Sequence, residues 1–193
     1  MKSLKSITAL LLVLAVILSL GMTAYAEEAK TETKTFRDEK GNTVTEVYDE
    51  DGYLIHKEEP YYKNGKLSGT LCYDAIIWCS WDKDMYAAPS GFSLPVMKPD
   101  TELDRCLSYT LNMAYFKVAD KTQLGLQTLF CRENDVFHKT GYIQIDELET
   151  FYDTDVEYET PTKIDGFAIQ PYKFISTGQF SLLCALTDVY YLK

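Results

Sequence analysis

The chain has 193 residues, of which 29 are acidic and 19 are basic, so its formal net charge is −10. An acidic protein repels phosphate backbones and anionic lipids, and no basic cluster in the sequence offsets this charge. Nucleic acid and membrane surfaces are therefore excluded as expected partners. The length allows one ordinary domain, or a small module plus a domain, but not two large domains.

The first 26 residues have the order of a signal peptide. Lys2 and Lys5 precede an apolar run from residue 7 to residue 20, and the small residues Ala24 and Ala26 close the segment. The apolar run is shorter than the roughly 20 residues that a membrane-spanning helix needs. We expect cleavage after Ala26, which removes two lysines and lowers the formal net charge from −10 to −12. The product is expected to be secreted and extracellular, with no membrane span after cleavage.

Residues 27–36 are mostly polar and predict a flexible leader behind the cleavage site. Residues 37–70 then repeat a loose pattern, in which a glycine follows two or three polar residues and precedes a stretch that can extend. The glycines are Gly41, Gly52 and Gly65. A glycine in this setting is typical of a tight hairpin turn, so the segment predicts a small β-meander. It resembles the short tyrosine, asparagine and glycine hairpin repeats of bacterial surface and toxin-associated proteins.

Residues 71–193 contain several stretches with a period of two. In residues 107–115 the odd positions carry Leu, Tyr, Leu, Met and Tyr, whereas the even positions carry Ser, Thr, Asn and Ala. Such alternation predicts a strand with one buried face and one wet face. A helix that begins near Thr101, capped by Asp100 or Thr101, is the alternative. The alternation and the tyrosines favour the strand.

The same alternation recurs toward the C-terminus. Large apolar side chains fall on even positions at Leu124, Leu126 and Phe130, and again from residue 152 to residue 158. Residues 180–192 form a long stretch that is apolar on both faces. Several strands at short spacing, with no convincing helix between them, predict an antiparallel β-sandwich in residues 71–193. The expected fold class is mainly β.

Three segments near the C-terminus carry a resemblance to a known kind of protein. Residues 148–152 resemble a segment in which a tryptophan is usual and Phe151 stands here. Residues 164–169 resemble a penultimate strand, and residues 186–192 are similar to a final strand that contains an aspartate. Together they look like the closing half of a jelly-roll carbohydrate-binding module of the galactose-binding-like kind. The resemblance implies a jelly-roll-like sandwich and carbohydrate as the partner.

Carbohydrate-binding surfaces use exposed aromatic rings that stack on sugar rings, together with a few polar side chains that fix the hydroxyl groups. Trp81 and Tyr86 lie in a polar stretch that is typical of a loop, so we expect them to form the ligand-binding platform. The alternative is that both rings only cover the end of the sandwich. Trp78 lies in an apolar run and is expected in the core.

Four acidic residues occupy alternate positions of one predicted strand, namely Asp153, Asp155, Glu157 and Glu159. Their carboxylates are expected to share one face of that strand. Such a row could hold calcium through its oxygen atoms, with Asp153, Asp155 and Glu157 as the ligands. The alternative is a solvated face that keeps an exposed strand from pairing with another chain. No other cofactor is expected.

All five cysteines follow residue 70, namely Cys72, Cys79, Cys106, Cys131 and Cys184. No two of them form a Cys-x-x-Cys pair, and the chain has only two histidines, which argues against a structural zinc site or a thioredoxin-like motif. Cysteines of exported proteins often pair, but an odd number leaves at least one thiol free. Buried thiols also pack as small hydrophobic groups. The sequence leaves the pairing open.

The chain lacks a G-x-S-x-G turn around a serine, an H-E-x-x-H motif and a glycine-rich phosphate loop. Its 29 acids do not single out a pair for glycoside hydrolysis, and His138 is expected in an ordinary loop. The sequence therefore favours a secreted, non-catalytic β-sandwich that binds carbohydrate over an enzyme. The alternative is an extracellular structural or interaction protein of the cell envelope, with a protein partner.

Overall fold

A computed structural model describes residues 30–87, 93–117, 126–144, 149–171 and 180–193, some of them by their main chain only. The predicted signal peptide and Leu124 lie outside these ranges. The described elements are the strands β1 (Glu32–Arg37), β2 (Thr43–Tyr48), β3 (Leu54–Lys63), β4 (Lys66–Ala87), β5 (Ser93–Pro99), β6 (Leu103–Lys117), β7 (Leu126–Glu133), β8 (Val136–Gln144), β9 (Glu149–Pro171) and β10 (Phe180–Leu192).

The N-terminal strands form the predicted meander. Strands β1, β2, β3 and β4 pair in chain order, each antiparallel to the next. Gly41, Gly52 and Gly65 lie in the three turns with φ between 76° and 82°, a conformation that glycine adopts without steric cost. Strand β4 crosses residue 70, at which the sequence suggests a domain boundary, and residues 31–193 form one compact unit. The division into two domains stays a prediction.

The remaining pairings form two layers. In the first layer β10 lies between β4 and β6, and the N-terminal part of β9 pairs with β6. In the second layer the C-terminal part of β9 pairs with β7 and β5, while β8 extends the sheet beyond β7. The long strands β4 and β9 belong to both layers, since β4 pairs with β10 through its first part and with β5 through its last. All described pairs are antiparallel.

Side chains from both layers meet in one apolar core. The first layer contributes Leu111 and Leu186, and the second layer contributes Leu129 and Phe167, all of which are fully buried or nearly so. Packing two sheets face to face through such side chains is the arrangement of a β-sandwich. The predicted fold class, an antiparallel all-β sandwich, is therefore confirmed. Residues 164–169 lie in the penultimate strand and residues 186–192 in the last one, as the resemblance implies.

Two of the predicted local structures are confirmed and two are wrong. The alternating residues 107–115 form β6 rather than a helix, and residues 152–158 alternate as predicted within β9. The polar stretch around Trp81 and Tyr86 is not a loop, because β4 continues to Ala87 and pairs with β5 through an irregular step between Trp81 and Met85. His138 likewise lies in β8, exposed, rather than in a loop.

The face assigned to β7 is also corrected. The sequence suggests that the even positions face the core, but the core contains Leu129 and Cys131. Phe130 packs instead with Phe137 of β8 at a ring-centroid distance of 6.4 Å, in a small cluster around Val96 and Ala168. Both faces of this layer therefore carry buried apolar groups, and alternation alone does not tell which face meets the main core.

No helix that is long and apolar enough to cross a membrane occurs among the residues that the structure describes.

Candidate functional site

The first layer has a second face, opposite to the core, on which side chains of four strands come together. Core residues alternate along these strands, for example Ile77 and Cys79 on β4 or Leu111 and Met113 on β6. The residues next to them lie on the opposite side of the sheet, because successive side chains of a strand point to opposite faces. The core positions change parity along each strand, from Cys72 to Ile77 on β4 and from Leu186 to Val189 on β10, so Tyr73 and Tyr190, next to the buried Cys72 and Tyr191, also lie on the opposite side. We call this side the outer face, and it consists of Tyr73, Ile76 and Trp78 (β4), Ala185, Thr187 and Tyr190 (β10), Ser108, Thr110 and Asn112 (β6), and Asp153, Asp155 and Glu157 (β9).

The pairing registers arrange the outer face in three rows that cross all four strands. In the first row Trp78 is opposite Ala185, Ala185 is opposite Asn112, and Asn112 is opposite Asp153. Ala185 is 2% exposed and Trp78 is half-buried. The Trp78 ring and the Asn112 amide therefore flank the small Ala185 on the two neighbouring strands.

The second row is held by hydrogen bonds between its side chains. Ile76, Thr187, Thr110 and Asp155 lie opposite one another in that order. The Thr110 hydroxyl donates to Oδ1 of Asp155 over 2.6 Å. Nδ2 of Asn112, from the first row, donates to Oγ1 of Thr187 over 2.8 Å and to the Thr110 carbonyl oxygen over 3.1 Å. These bonds hold the amide and the carboxylate in place.

The third row adds a pair of tyrosines. Tyr73, Tyr190, Ser108 and Glu157 lie opposite one another, and the rings of Tyr73 and Tyr190 are 5.0 Å apart at their centroids. The Tyr73 hydroxyl donates to Oδ1 of Asp188 over 2.9 Å. Burial, followed by this hydrogen bond to a carboxylate, raises the pKa of Tyr73, so the phenol stays neutral. The Tyr190 ring is 40% exposed.

The outer face thus changes in chemistry from one side to the other. Aromatic rings lie on β4 and β10, amide and hydroxyl groups lie on β6, and carboxylates lie on β9. Neighbouring strands are about 4.8 Å apart, so the distance across the four strands is about 14 Å. Such a surface offers ring stacking and hydrogen bonding within reach of one small polar ligand.

The structure brings together only some of the residues that the sequence singled out. Asp153, Asp155 and Glu157 are exposed and share the outer face, as the alternation predicts. No group of three or more His, Cys, Asp or Glu side chains within the described ranges is arranged to hold a metal ion. Calcium binding by this row stays a prediction.

The predicted aromatic platform is separate from the outer face. Trp81 is 48% exposed, but it follows Cys79 by two residues and pairs with the buried Met97, so it lies on the core side of β4. The main chain of Tyr86 pairs with Leu94, and the side chain of Tyr86 lies outside the described part of the molecule. Their role in binding stays a prediction.

Sequence reasoning missed Trp78, which was expected in the core and lies half-buried on the outer face. It also missed Asn112 and Thr110 as site residues, although the alternation in residues 107–115 assigns them to the wet face of their strand. The position of Thr110 and Asn112 on that wet face was the one sequence feature that pointed to them. The pairing register of the four strands could not be read from the sequence, and the rows exist only when these strands, which are far apart in sequence, are aligned.

A cleft of about 530 Å³ lies elsewhere, between the end of β5, the start of β6, the end of β7 and residues 163–165 within β9, with no aromatic side chain among its described lining residues. Two ion pairs line it: Arg132 pairs with Asp135 at 2.8 Å, and Nζ of Lys163 is 2.9 Å from Oδ1 of Asp165. The hydrogen bond from Lys163 to Asp165 raises the pKa of the Lys163 ammonium. This cleft therefore has less of the chemistry that stacks on a sugar than the outer face has.

No protein-family profile matches the chain, and no curated protein sequence matches it. Among solved structures it is similar to a variant of CBM29-2, a family 29 carbohydrate-binding module, with 11% identity, a TM-score of 0.29, and coverage of 84% of this chain and 85% of that one. It is also similar to the C-terminal family 6 carbohydrate-binding module of LamC, a marine laminarinase from Zobellia galactanivorans. That match has 11% identity, a TM-score of 0.29, and coverage of 84% and 95%.

Both neighbours are carbohydrate-binding modules. At these identities and TM-scores the likeness carries no argument about function, so the proposal below depends on the side chains of the outer face.

Proposed function

We propose that this protein is an exported, non-catalytic β-sandwich that binds carbohydrate on its outer face. The observation that carries the proposal is the first row, in which an aromatic ring, a small residue, an amide and a carboxylate lie opposite one another on four adjacent strands. A sugar has an apolar ring face and a rim of hydroxyl groups. The Trp78 ring can stack on the apolar face, while the side chains of Asn112 and Asp153 can hydrogen-bond to the hydroxyl groups.

The polar groups of the outer face are arranged before any ligand arrives. Nδ2 of Asn112 donates two hydrogen bonds within the protein, so the amide oxygen is the atom that Asn112 presents to a hydroxyl donor. The Thr110 hydroxyl similarly fixes the Asp155 carboxylate. Side chains that are already ordered lose less conformational entropy on binding, which favours affinity.

The charge of the surface selects among sugars. Asp153, Asp155 and Glu157 line one side of the outer face, and the whole chain carries a net charge of −10. Anionic polysaccharides are repelled by this surface, whereas neutral sugars can donate hydroxyl hydrogen bonds to the carboxylates. We therefore infer that the ligand is a neutral glycan.

Calcium has one candidate position in this proposal, the row of Asp153, Asp155 and Glu157. Carboxylate oxygens are the ligands that calcium prefers, and a bound ion at the edge of the outer face would also accept sugar hydroxyl groups as ligands. The proposal for this cofactor is tested by measuring binding with calcium and with a chelator.

A glycan-array screen of the full chain, with panels of plant, host and cell-wall glycans, tests the function. We expect binding to a set of neutral glycans, without release of shorter sugars from the bound ligand. Loss of binding in the chelator would assign a role to the acid row. Absence of binding to every glycan, with and without calcium, would overturn the proposal.

A protein partner in the cell envelope is the second candidate function, and strand β1 is the feature that favours it. All six residues of β1 are exposed, and β2 is the one partner of β1 among the described strands. An open edge can accept a strand from another protein. If the array shows no binding, capture of envelope proteins that is lost when Thr35 is replaced by proline would support this function instead.

A further inference from the structure

Two of the five cysteines lie directly opposite each other in the sheet. Cys79 of β4 and Cys184 of β10 are register partners in an antiparallel pair. Residues in such positions have Cα atoms about 4.5 to 5.5 Å apart, and disulfide-bonded cysteines usually have Cα atoms about 4.4 to 6.8 Å apart. The main chain therefore already has a spacing that a disulfide requires.

The other cysteines have no such partner in the described sheet. Cys72 is opposite Tyr191 and Glu58, Cys106 is opposite Tyr191 and Thr162, and Cys131 is opposite His138 and Phe167. Cys72 and Cys106 lie on either side of β10, two strand spacings or about 10 Å apart, which is too far for a bond.

The two sulfur atoms also share one environment. Cys184 belongs to the apolar core and is 2% exposed, and the half-buried Cys79 packs against the same core. The Cys79 thiol lies close enough to Cys184 to help raise the pKa of the Cys184 thiol, after burial as the main cause. Both side chains therefore lie on one face of the sheet and meet there, so a bond between them requires no turn of either strand.

We propose that Cys79 and Cys184 form a cross-strand disulfide, and that a low-molecular-weight disulfide such as oxidised glutathione is the oxidant. The Cys79 thiolate attacks one sulfur of the oxidant, which breaks the S–S bond of the oxidant and releases one thiol. The Cys184 thiolate then attacks Sγ of Cys79 in the mixed disulfide and releases a second thiol. The two cysteines lose two protons and two electrons, and the oxidant is reduced to two thiols.

The order of attack follows from exposure. Cys79 is partly accessible, whereas Cys184 is nearly inaccessible, so the oxidant reaches Cys79 first. Burial raises the pKa of the Cys184 thiol well above its ordinary value, which makes its thiolate scarce once β10 is packed. The second step is therefore fastest while the chain is folding.

The test is oxidative refolding of the full chain. The protein is reduced, unfolded, and refolded with reduced and oxidised glutathione, then alkylated in denaturant and weighed by mass spectrometry. We expect three of the five cysteines to be alkylated, and a chymotryptic fragment that links Cys79 to Cys184. Reduction of the refolded protein should lower its thermal midpoint by about 5 to 15 °C, since the bond closes a long loop.

Three variants complete the test. C79A and C184A should each have four alkylated cysteines and no linked fragment, while the control C72A should have two alkylated cysteines and keep the fragment. The use of both single variants guards against one of them failing to fold. Five alkylated cysteines in the refolded wild-type chain, a glutathione adduct on Cys79 without a link, or a link that involves Cys72, Cys106 or Cys131 would overturn the proposal.

Discussion

At Gly166 the main chain of β9 passes close to β5. Its φ is +151°, and a Cβ added there would lie 2.4 Å from Cγ1 of Val96 and 2.8 Å from the carbonyl oxygen of Met97. Val96 is fully buried and the Met97 oxygen belongs to the main chain, so neither atom can move away easily. The absence of a side chain at residue 166 therefore allows β9 to cross from one layer of the sandwich to the other.

Replacement of Gly166 by alanine is expected to lower the free energy of unfolding by about 2 to 4 kcal/mol, because it combines a steric clash with an unfavourable φ. Urea unfolding measures this change. The matched control is Gly52→Ala, since Gly52 also has a positive φ but no atom within 4 Å of an added Cβ. The control should cost only about 1 to 2 kcal/mol. Equal losses of unfolding free energy in the two variants would show that the close approach of β9 and β5 does not contribute to the cost of a side chain at residue 166.

At the scale of the strands, the meander is tied to the sandwich by polar contacts as well as by the sheet. Nζ of Lys193, the residue after β10, donates to Oε1 of Glu58 on β3 over 2.6 Å. Lys193 also exchanges main-chain hydrogen bonds with Thr70 of β4. Nearby, Nδ1 of His56 lies 2.6 Å from Oδ1 of Asp74. Lys193 thus adds contacts to both β3 and β4.

The Glu58 contact predicts a pH dependence of stability. The hydrogen bond from Lys193 lowers the pKa of the Glu58 carboxyl below 4.5 in the folded state. A lowered pKa contributes stability above pH 4.5, and the contribution disappears as the pH falls through the folded pKa. We expect Glu58→Gln to lower the thermal midpoint at pH 7 by about 1 to 3 °C, because the pair is partly exposed, and to have a smaller effect near pH 3, where the contribution is being lost.

The control for this measurement is Glu39→Gln, which removes an exposed carboxyl in the first turn of the meander. Its midpoint should follow that of the wild-type chain at both pH values. A Glu58→Gln effect of the same size at pH 3 and pH 7 would contradict the electrostatic origin of the contact.

The strands show which structural features are predicted by the alternation of apolar and polar residues and which are not. Residues 107–115 predicted β6 and its buried face because one face packs on the core and the other carries polar groups. The same reasoning gave the wrong face for β7, since Phe130 packs in a separate cluster on the far side of its layer. It also failed for Trp78, where an apolar neighbourhood in sequence does not reveal that the ring lies opposite Ala185. Alternation gives the period of a strand, whereas its neighbours decide which face meets the core.

For the whole molecule, the sequence predicted an all-β antiparallel sandwich but not the candidate site. The row from Trp78 to Asp153 joins residues that are 75 positions apart in the chain, and each step depends on a pairing register that a single sequence does not specify. The acid row was predictable because its members alternate within one strand. Their position beside aromatic rings was not.

The outer face and the region around Trp81 are two candidate binding sites, and one titration experiment distinguishes them. Trp78 and Trp81 lie three residues apart on β4, on opposite faces of the strand, so each serves as the control for the other. A ring that stacks on a ligand typically accounts for about 2 kcal/mol of binding energy, which corresponds to about a 30-fold change in Kd. Asp153→Asn provides a second, exposed probe of the outer face that leaves the rings in place.

The measurement that tests the central claim most directly is calorimetric titration of the tightest array glycan into the wild-type chain, Trp78→Ala, Trp81→Ala and Asp153→Asn, after each variant is shown to unfold cooperatively. The outer face predicts that Trp78→Ala raises Kd by about 30-fold, that Asp153→Asn also weakens binding, and that Trp81→Ala changes Kd by less than about threefold. Loss of binding in Trp81→Ala, with unchanged affinity in the other two variants, would contradict the claim.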